Sequence, residues 1–313
     1  MKQSRPVYVP SGVSSFFEIC DRDHEGRKIS DPLRIGARGG GFIIAKGTTT
    51  IASTSQNSSD EILINDSLSP EAKTSLAVIR RIREKFSIPS VRVSHAILPP
   101  IGQGFGTSGA GALSTSVALG DLFDLKFSLA EASNYAHTAE IDNLTGLGTV
   151  ISLASGNGAI GLVTEPGSFS IGRTDSILCD PDEYTLVCAA FGAVSKPSIL
   201  ADESSRNRIN EAGRQTLNNI LKDATPERLL SESRLYSEST RLATPELLKL
   251  CDRAVEFGAV GAAPNMIGNA IHCLVEKARH RGFVEKFTAL VPKDSLFESS
   301  LIQSGPRFTS GSP

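Results

Sequence analysis

Pro99-Pro-Ile-Gly-Gln-Gly-Phe-Gly-Thr-Ser-Gly-Ala-Gly-Ala112 carries five glycines, between an alternating segment (Val91 to Leu98) and a small-residue apolar segment (Leu113 to Phe123). That order reads as strand, glycine loop, helix. A loop so poor in side chains lets successive backbone N–H groups close on one ligand, and the helix behind it adds partial positive charge at its N-terminus. The guest that suits it is a phosphate group. The P-loop pattern fails, because no lysine lies in the stretch. The dinucleotide pattern G-x-G-x-x-G does occur, at Gly104, Gly106 and Gly109. It requires an acidic residue at the end of the next strand, about 20 residues on, whereas Asp121 and Asp124 fall where the same helix should end. A third reading is a phosphate loop carrying hydroxyls, with Thr107 and Ser108 binding phosphate oxygens or Mg²⁺. A ligand-free turn is the remaining reading, and the backbone entropy lost at each glycine argues against it.

Working outward, 313 residues suit one large domain or two subdomains. The net charge of −2 and dispersed Lys and Arg leave no nucleic-acid footprint. No run of 18 apolar residues exists and Met1-Lys-Gln-Ser-Arg-Pro6 opens no signal peptide, so a soluble, cytoplasmic protein without a membrane partner is expected. Cys20, Cys179, Cys188, Cys251 and Cys273 are scattered without a C-x-x-C pair, as expected of reduced thiols.

Upstream, Pro6 to Pro10 reads as a strand turning at Ser11-Gly12, followed by an apolar patch at Phe16 to Cys20 and a charged loop from Asp21 to Lys28. Phe42 to Ala45 and Thr48 to Ile51 read as strands; Gly39 to Gly41 mark either a bulge or a close approach to ligand. Residues 57–69 read as loop or hairpin. Ser69-Pro-Glu-Ala72 predicts a helix start with Ser69 as N-cap, the helix running to about Phe86. Downstream, Ser128 with Glu131 forms a capping box for a helix over 129–142. Its His137 and Glu140 share a face, Asn143 to Gly148 breaks it, and a short helix begins near Thr149. Strands are predicted at Ala159 to Val163, Ser170-Ile171, Tyr184 to Phe191, Ala270 to Val275 and Phe287 to Val291. Helices are predicted over 207–222, 226–238 and 245–257, with Leu217, Ile220, Leu221, Leu247, Leu248, Leu250 and Val255 in the core. The C-terminal 304–313 reads as frayed. The pattern is α+β without regular βαβ alternation. It divides into an N-terminal lobe (1–165, phosphate loop 100–112) and a C-terminal α+β lobe (166–313), with a nucleotide site in the cleft.

The segment from Pro100 to Ala112 resembles the phosphate-binding motif of the GHMP small-molecule kinases, P-x-x-x-G-hydrophobic-G-[ST]-S-x-A. It is most similar to the archaeal pantoate kinase branch. Further matches occur in order: Val9-Pro10 with Phe16-Phe17-Glu18; Asp31-Pro32-Leu33 with Gly36 and Arg38-Gly39; Ala136-His137 with Glu140; Thr145 to Gly148; and Met266 to Asn269. The resemblance covers nearly the whole chain. It implies a two-lobed kinase using ATP and Mg²⁺, with a small hydroxy acid as acceptor. Gly102, Gly104, Gly106, Thr107, Ser108, Gly109, Ala110 and Gly111 would cradle the phosphates. Ser108 and Glu140 would hold the metal, and Ser108, Glu140 and His137 would form the catalytic group. Arg38, His137 and Lys196 would meet the acceptor. The assembly stays open between monomer and homodimer.

The acceptor side departs from the branch. Thr149 stands where these kinases carry an aspartate after Thr-Gly-Leu-Gly. Ala37 replaces a serine in Gly-Ser-Arg-Gly, Ser195-Lys196 replaces Ser-Thr, and an arginine expected before Pro166-Gly167 is missing, with Val163 near its place. A gained lysine suits an acceptor with an extra anionic group. That points first to mevalonate 3-phosphate, phosphorylated at its 5-hydroxyl in a variant archaeal isoprenoid route. Pantoate, for coenzyme A biosynthesis, is the alternative. Without the aspartate, Asp142 or His137 is a candidate base. A nicotinamide-dependent oxidoreductase and an inactive nucleotide sensor are the readings from other classes.

Overall fold

The computed structural model describes residues 2–193 and 202–310. Two long strands, β1 (Val7–Cys20) and β2 (Gly36–Thr54), form its antiparallel spine. β1 runs unbroken through Ser11-Gly12, so the predicted turn there is absent. Two register shifts, between Val9 and Ser11 and between Ser14 and Phe16, bend it instead. The patch at Phe16 to Cys20 is therefore its second half. Gly39 to Gly41 lie opposite the second bulge, whose extra residue is Ser15 on β1. A Cβ at Gly41 would land on the Val13 carbonyl oxygen, and one at Gly39 would lie 3.0 Å from Phe17 Cα.

Around this spine follow β3 (Glu61–Ile64), β4 (Ser67–Leu68), α1 (Lys73–Phe86), β5 (Val91–Ile97), α2 (Thr107–Phe123), α3 (Leu129–Asn143), α4 (Thr149–Ser155), β6 (Ile160–Glu165) and β7 (Arg173–Ile177). The remainder is β8 (Tyr184–Ala190), α5 (Glu203–Lys222), α6 (Pro226–Thr240), α7 (Pro245–Glu256), β9 (Gly261–Pro264), β10 (Ala270–Glu276), α8 (His280–Phe287), β11 (Leu296–Ser300) and β12 (Arg307–Phe308). The first sheet has the order β12-β1-β2-β5-β3-β4, with β6 pairing β2 and β7; the second is β11-β8-β10-β9. α2 leads directly into α3, and β2 and β5 are antiparallel. A dinucleotide fold needs a parallel βαβ unit there, so the oxidoreductase reading is set aside.

Three layers of core follow from period-two alternation. One face of the first sheet packs on α1 to α4, through Ile43, Val93, Leu113 and Leu153. Its other face, with Phe16, Phe42 and Leu162, meets α5, α6 and the second sheet. The far face of the second sheet, with Val187, Ile271 and Cys273, is covered by α7 and α8. The strand β1 is tied along the edge away from β2 by single bonds from distant segments. Gly12 N–H donates to Phe105 O, Met266 N–H to Ser14 O, Tyr236 Oη–H to Phe17 O, and Ile19 N–H to Asn210 Oδ1.

Several expectations need correcting. α1 begins at Lys73, and Ser69 does not cap it: Ser69 N–H still donates to Ile62 O at the sheet margin. Ser128 does cap α3, accepting from Glu131 N–H, while the Glu131 carboxylate turns to Lys85 and Tyr135. Ser170-Ile171 is a turn before β7. Leu221 and Val255 are exposed, one position off the buried stripes set by Leu217 and Ile220 and by Cys251 and Ala254. Phe287 closes α8, stacked on Phe283 one turn earlier, and the last strand of the second sheet is β11. Residues 304–310 are pinned, since β12 pairs with Val7 and Tyr8. Among the described residues no helix is long and apolar enough to cross a membrane.

Candidate active site

The glycine loop hangs between β5 and α2. Gly102, Gly104 and Gly106 have φ of +74°, +80° and +64°, where any side chain is strained, so the backbone path itself demands glycine. Gly106 is the N-cap of α2 and offers no side-chain acceptor. Among the described residues, the backbone N–H groups of residues 104–109 donate to no protein acceptor. Six consecutive free donors at a helix start are an arrangement that suits an anion. The loop is fixed from outside. Phe105 O accepts from Gly12 at 3.3 Å, Gln103 O from Asn265 Nδ2 at 3.1 Å, and Gln103 Oε1 from Gly192 N–H at 2.8 Å.

Ser108, in the first turn of α2, donates from Oγ to Glu140 Oε1 at 2.6 Å. Glu140 is 2% exposed; besides Ser108, the Thr145 hydroxyl is its partner, and burial raises its pKa. It has no ion pair among the described residues. Glycines wall the carboxyl in: a Cβ at Gly146 would lie 2.8 Å from its Cδ, and one at Gly109 3.0 Å from Oε2. A buried carboxylate without a counter-charge is costly unless a cation arrives. No group of three or more His, Cys, Asp or Glu able to hold a metal occurs among the described residues. That suits Mg²⁺, which takes one or two carboxylates together with phosphate oxygens and water. Thr107 and Ala110 complete the first turn, and Gly111 lies against the ring of buried His95.

Around this pair the structure gathers Thr149 but not Asp142. The Thr149 methyl group abuts the loop, 2.9 and 2.8 Å from where Cβ atoms at Gly106 and Gly109 would stand. Asp142, two residues from Glu140 and so on another face of α3, is held by Arg81. His137 lies one turn before Glu140 and is buried. Its Nε2 donates to the carbonyls of Pro32 (3.1 Å) and Ile35 (2.9 Å), and burial lowers its pKa, so the ring is neutral and ties α3 to the segment entering β2. Ala37 faces Gly148 at the start of α4, whereas Arg38, next along the strand, meets its cross-strand neighbour Glu18. Arg38 Nε donates to Glu18 Oε2 at 2.7 Å, and Arg214 Nη2 reaches Glu18 Oε1 at 3.3 Å. Lys196 lies outside the described residues.

Two features escape the sequence reading. A crevice of about 410 Å³ opens beside the entry to the loop, lined by Asn65, Leu98, Ile101, Gln103, Asp294 and Phe297. Asn65 fixes one wall, accepting from Ile97 N–H at 2.8 Å and donating to Ile97 O at 3.2 Å. Its only sequence signal is the Asn65-Asp66 pair, both at positive φ. The other is Asn265, hidden in a run of small residues.

The sequence profile described as GHMP kinases N terminal domain matches residues 73–156, which hold the loop, Ser108, His137 and Glu140. The chain is 30% identical over 277 residues to a pantoate kinase of Thermococcus kodakarensis, covering 86% of this chain and 87% of that one. It is 28% identical over 275 residues to a pantoate kinase of Methanocaldococcus jannaschii, covering 87% and 93%. A solved structure titled phosphotransferase related to CoA biosynthesis pathway superposes with a TM-score of 0.83 at 25% identity, over 99% of each chain.

Proposed function

Because this chain belongs to the GHMP kinases, in their archaeal pantoate kinase-like branch, we propose that it transfers the γ-phosphoryl group of ATP to the primary hydroxyl of pantoate, giving 4-phosphopantoate. That it is a small-molecule kinase acting on a hydroxyl follows from its relatives; the choice of pantoate is the further step. The observation that carries it is likeness to two pantoate kinases over 86–87% of this chain, together with the Ser108–Glu140 pair beneath six free amides.

In this reading the amides of residues 104–109 hold the triphosphate, and the crevice by Asn65 and Ile101 takes the nucleoside. Ser108 Oγ and the Glu140 carboxylate would hold Mg²⁺, which neutralises charge on the phosphate oxygens when bound. Phosphoryl transfer proceeds through a loose transition state that needs in-line positioning and charge stabilisation more than a strong base. Thr149 therefore does not forbid turnover, and Asp142, engaged by Arg81, is not required for it. Arg38, His137 and Lys196 are the proposed acceptor side. His137 acts there by holding the Pro32–Ile35 segment, and Arg38 by the positive charge that two guanidiniums leave around one Glu18 carboxylate.

Mevalonate 3-phosphate, which the sequence put first, rested on Lys196 and the missing aspartate, and the relatives named above give it no particular support. One assay decides. Purified protein with Mg-ATP is given pantoate, mevalonate 3-phosphate or no acceptor, and ADP release is followed. Turnover on pantoate alone is expected. Turnover on mevalonate 3-phosphate alone would reverse the assignment, and nucleotide binding without turnover on either would support a sensor.

A further inference from the structure

We infer that His272, remote from the reacting groups, is a positioning residue for the phosphate loop, acting through Asn265 to aim the Gly104 N–H at the phosphate site. The inference rests on the reading of residues 104–109 as that site.

Hydrogen-bond logic fixes every proton along the chain. Gln103 O is an acceptor only, so the Asn265 atom 3.1 Å from it is the amide nitrogen. Asn265 Oδ1 then faces His272 Nδ1 at 2.9 Å, and Nδ1 must carry the hydrogen. In a neutral ring Nε2 is left as an acceptor, and it receives Ser15 Oγ–H at 2.9 Å. All three side chains are buried, and burial lowers the His272 pKa to about 3, which keeps the ring neutral, while Asn265 Oδ1 and the Ser15 hydroxyl select the tautomer.

The polarised chain ends on one peptide. A trans peptide is planar, with its C=O and N–H pointing in opposite directions. Holding Gln103 O against Asn265 therefore turns the Gly104 N–H away from Asn265, where no protein acceptor among the described residues takes it. The same peptide lies flat on Gly268, where a Cβ would stand 3.0 Å from Gly104 N, and Gly104 itself packs against Asn265 Cβ. A histidine here is costly, because its neighbours along β10 from Ala270 to Val275 are small or aliphatic residues buried in the core. An aliphatic side chain would fill the space without desolvating a ring, but it would leave Asn265 free to rotate and the loop peptide free to flip.

Amide substitutions separate this role from packing. The side-chain nitrogen of Asn stands as many bonds from Cα as Nδ1, and that of Gln as many as Nε2. His272→Asn keeps the donor to Asn265, while His272→Gln keeps only the contact to Ser15. Binding of a non-hydrolysable Mg-ATP analogue is measured by calorimetry, alongside Tm and the separate KM values for ATP and pantoate. The expectation is that His272→Gln binds the analogue about tenfold more weakly, one lost phosphate hydrogen bond. KM for ATP rises in step, KM for pantoate is unchanged, and His272→Asn binds within about threefold of wild type. Equal binding by wild type and His272→Gln overturns the inference, as does His272→Asn binding as weakly as His272→Gln. Should His272→Gln fail to fold, Asn265→Ala cuts the same link at the loop, and unaltered analogue binding by that variant overturns it too. A wild-type protein that binds no analogue overturns the phosphate-site reading itself, a result distinct from either of these.

Discussion

Replacing Glu140 by glutamine is expected to make the protein more stable while sharply lowering its turnover. The carboxyl is 2% exposed, carries no cationic partner among the described residues, and has its pKa raised by burial. Holding it ionised at neutral pH disfavours the folded state, on the order of 2 kcal/mol after its two hydroxyl bonds are counted. Glutamine has the same shape, still accepts from Ser108 Oγ, and has no charge to desolvate. With about 2.1 cal/mol/K of unfolding entropy per residue over 313 residues, ~2 kcal/mol corresponds to a rise in Tm of about 3 °C. Turnover moves the other way. Losing a ligand to the proposed Mg²⁺ site should lower kcat by about 100-fold or more. Calorimetric melting in the absence of nucleotide and a coupled ADP assay measure the two together. A fall in Tm would mean that the carboxylate is a structural bond, and undiminished kcat would remove it from the metal site.

Other substitutions probe the same geometry. Gly146→Ala puts a methyl group within 2.8 Å of Glu140 Cδ at a position without positive φ, so steady-state kinetics should show a loss of kcat of about tenfold or more from displacing that carboxyl. Gly41 and Gly161 face each other across β2 and β6. Gly41→Ala would collide with the Val13 carbonyl and should cost about 3 kcal/mol or more, whereas Gly161→Ala, with nothing within 4 Å, should unfold in urea within about 0.5 kcal/mol of wild type. Burial lowers the pKa of His272 to about 3 and of His95 to about 4. Between pH 6.5 and 4 the unfolded chain takes up these protons and the folded chain does not, so stability should fall as pH drops, by about 2 kcal/mol per histidine at pH 5. Urea titrations across that range test it, most cleanly in the Glu140→Gln background, because a carboxyl with a raised pKa gives the opposite slope.

Much of this was legible in the sequence, and unevenly so. The loop could be read because its requirement is local: glycines at positive φ, hydroxyls at the start of the next helix, and no lysine. Glu140 could be placed one helical turn from His137, and the partnership with Ser108 followed from resemblance rather than from spacing. What escaped depends on distant contacts. The turn expected at Ser11-Gly12 is a bend inside one strand, because the bulged pairing with β2 carries the chain through it. The helix expected to be capped by Ser69 starts three residues later, since the sheet still holds the Ser69 amide. Asn265 meets the loop from about 160 residues away, with His272 behind it, and no local pattern distinguishes either from core.

The ties along the outer edge of β1 have a consequence for how the chain is made. Every segment that covers this edge comes later in synthesis, from Phe105 through Asn210, Tyr236 and Met266 to Arg307-Phe308. At about 5–20 residues per second, the ribosome needs on the order of 15–60 s between delivering Tyr8 and delivering its last partner. During that interval a long apolar strand has unsatisfied amides on one side, the kind of surface that recruits other nascent chains. Yield on overexpression should therefore depend on translation speed and holdase supply more than on the stability of the finished enzyme.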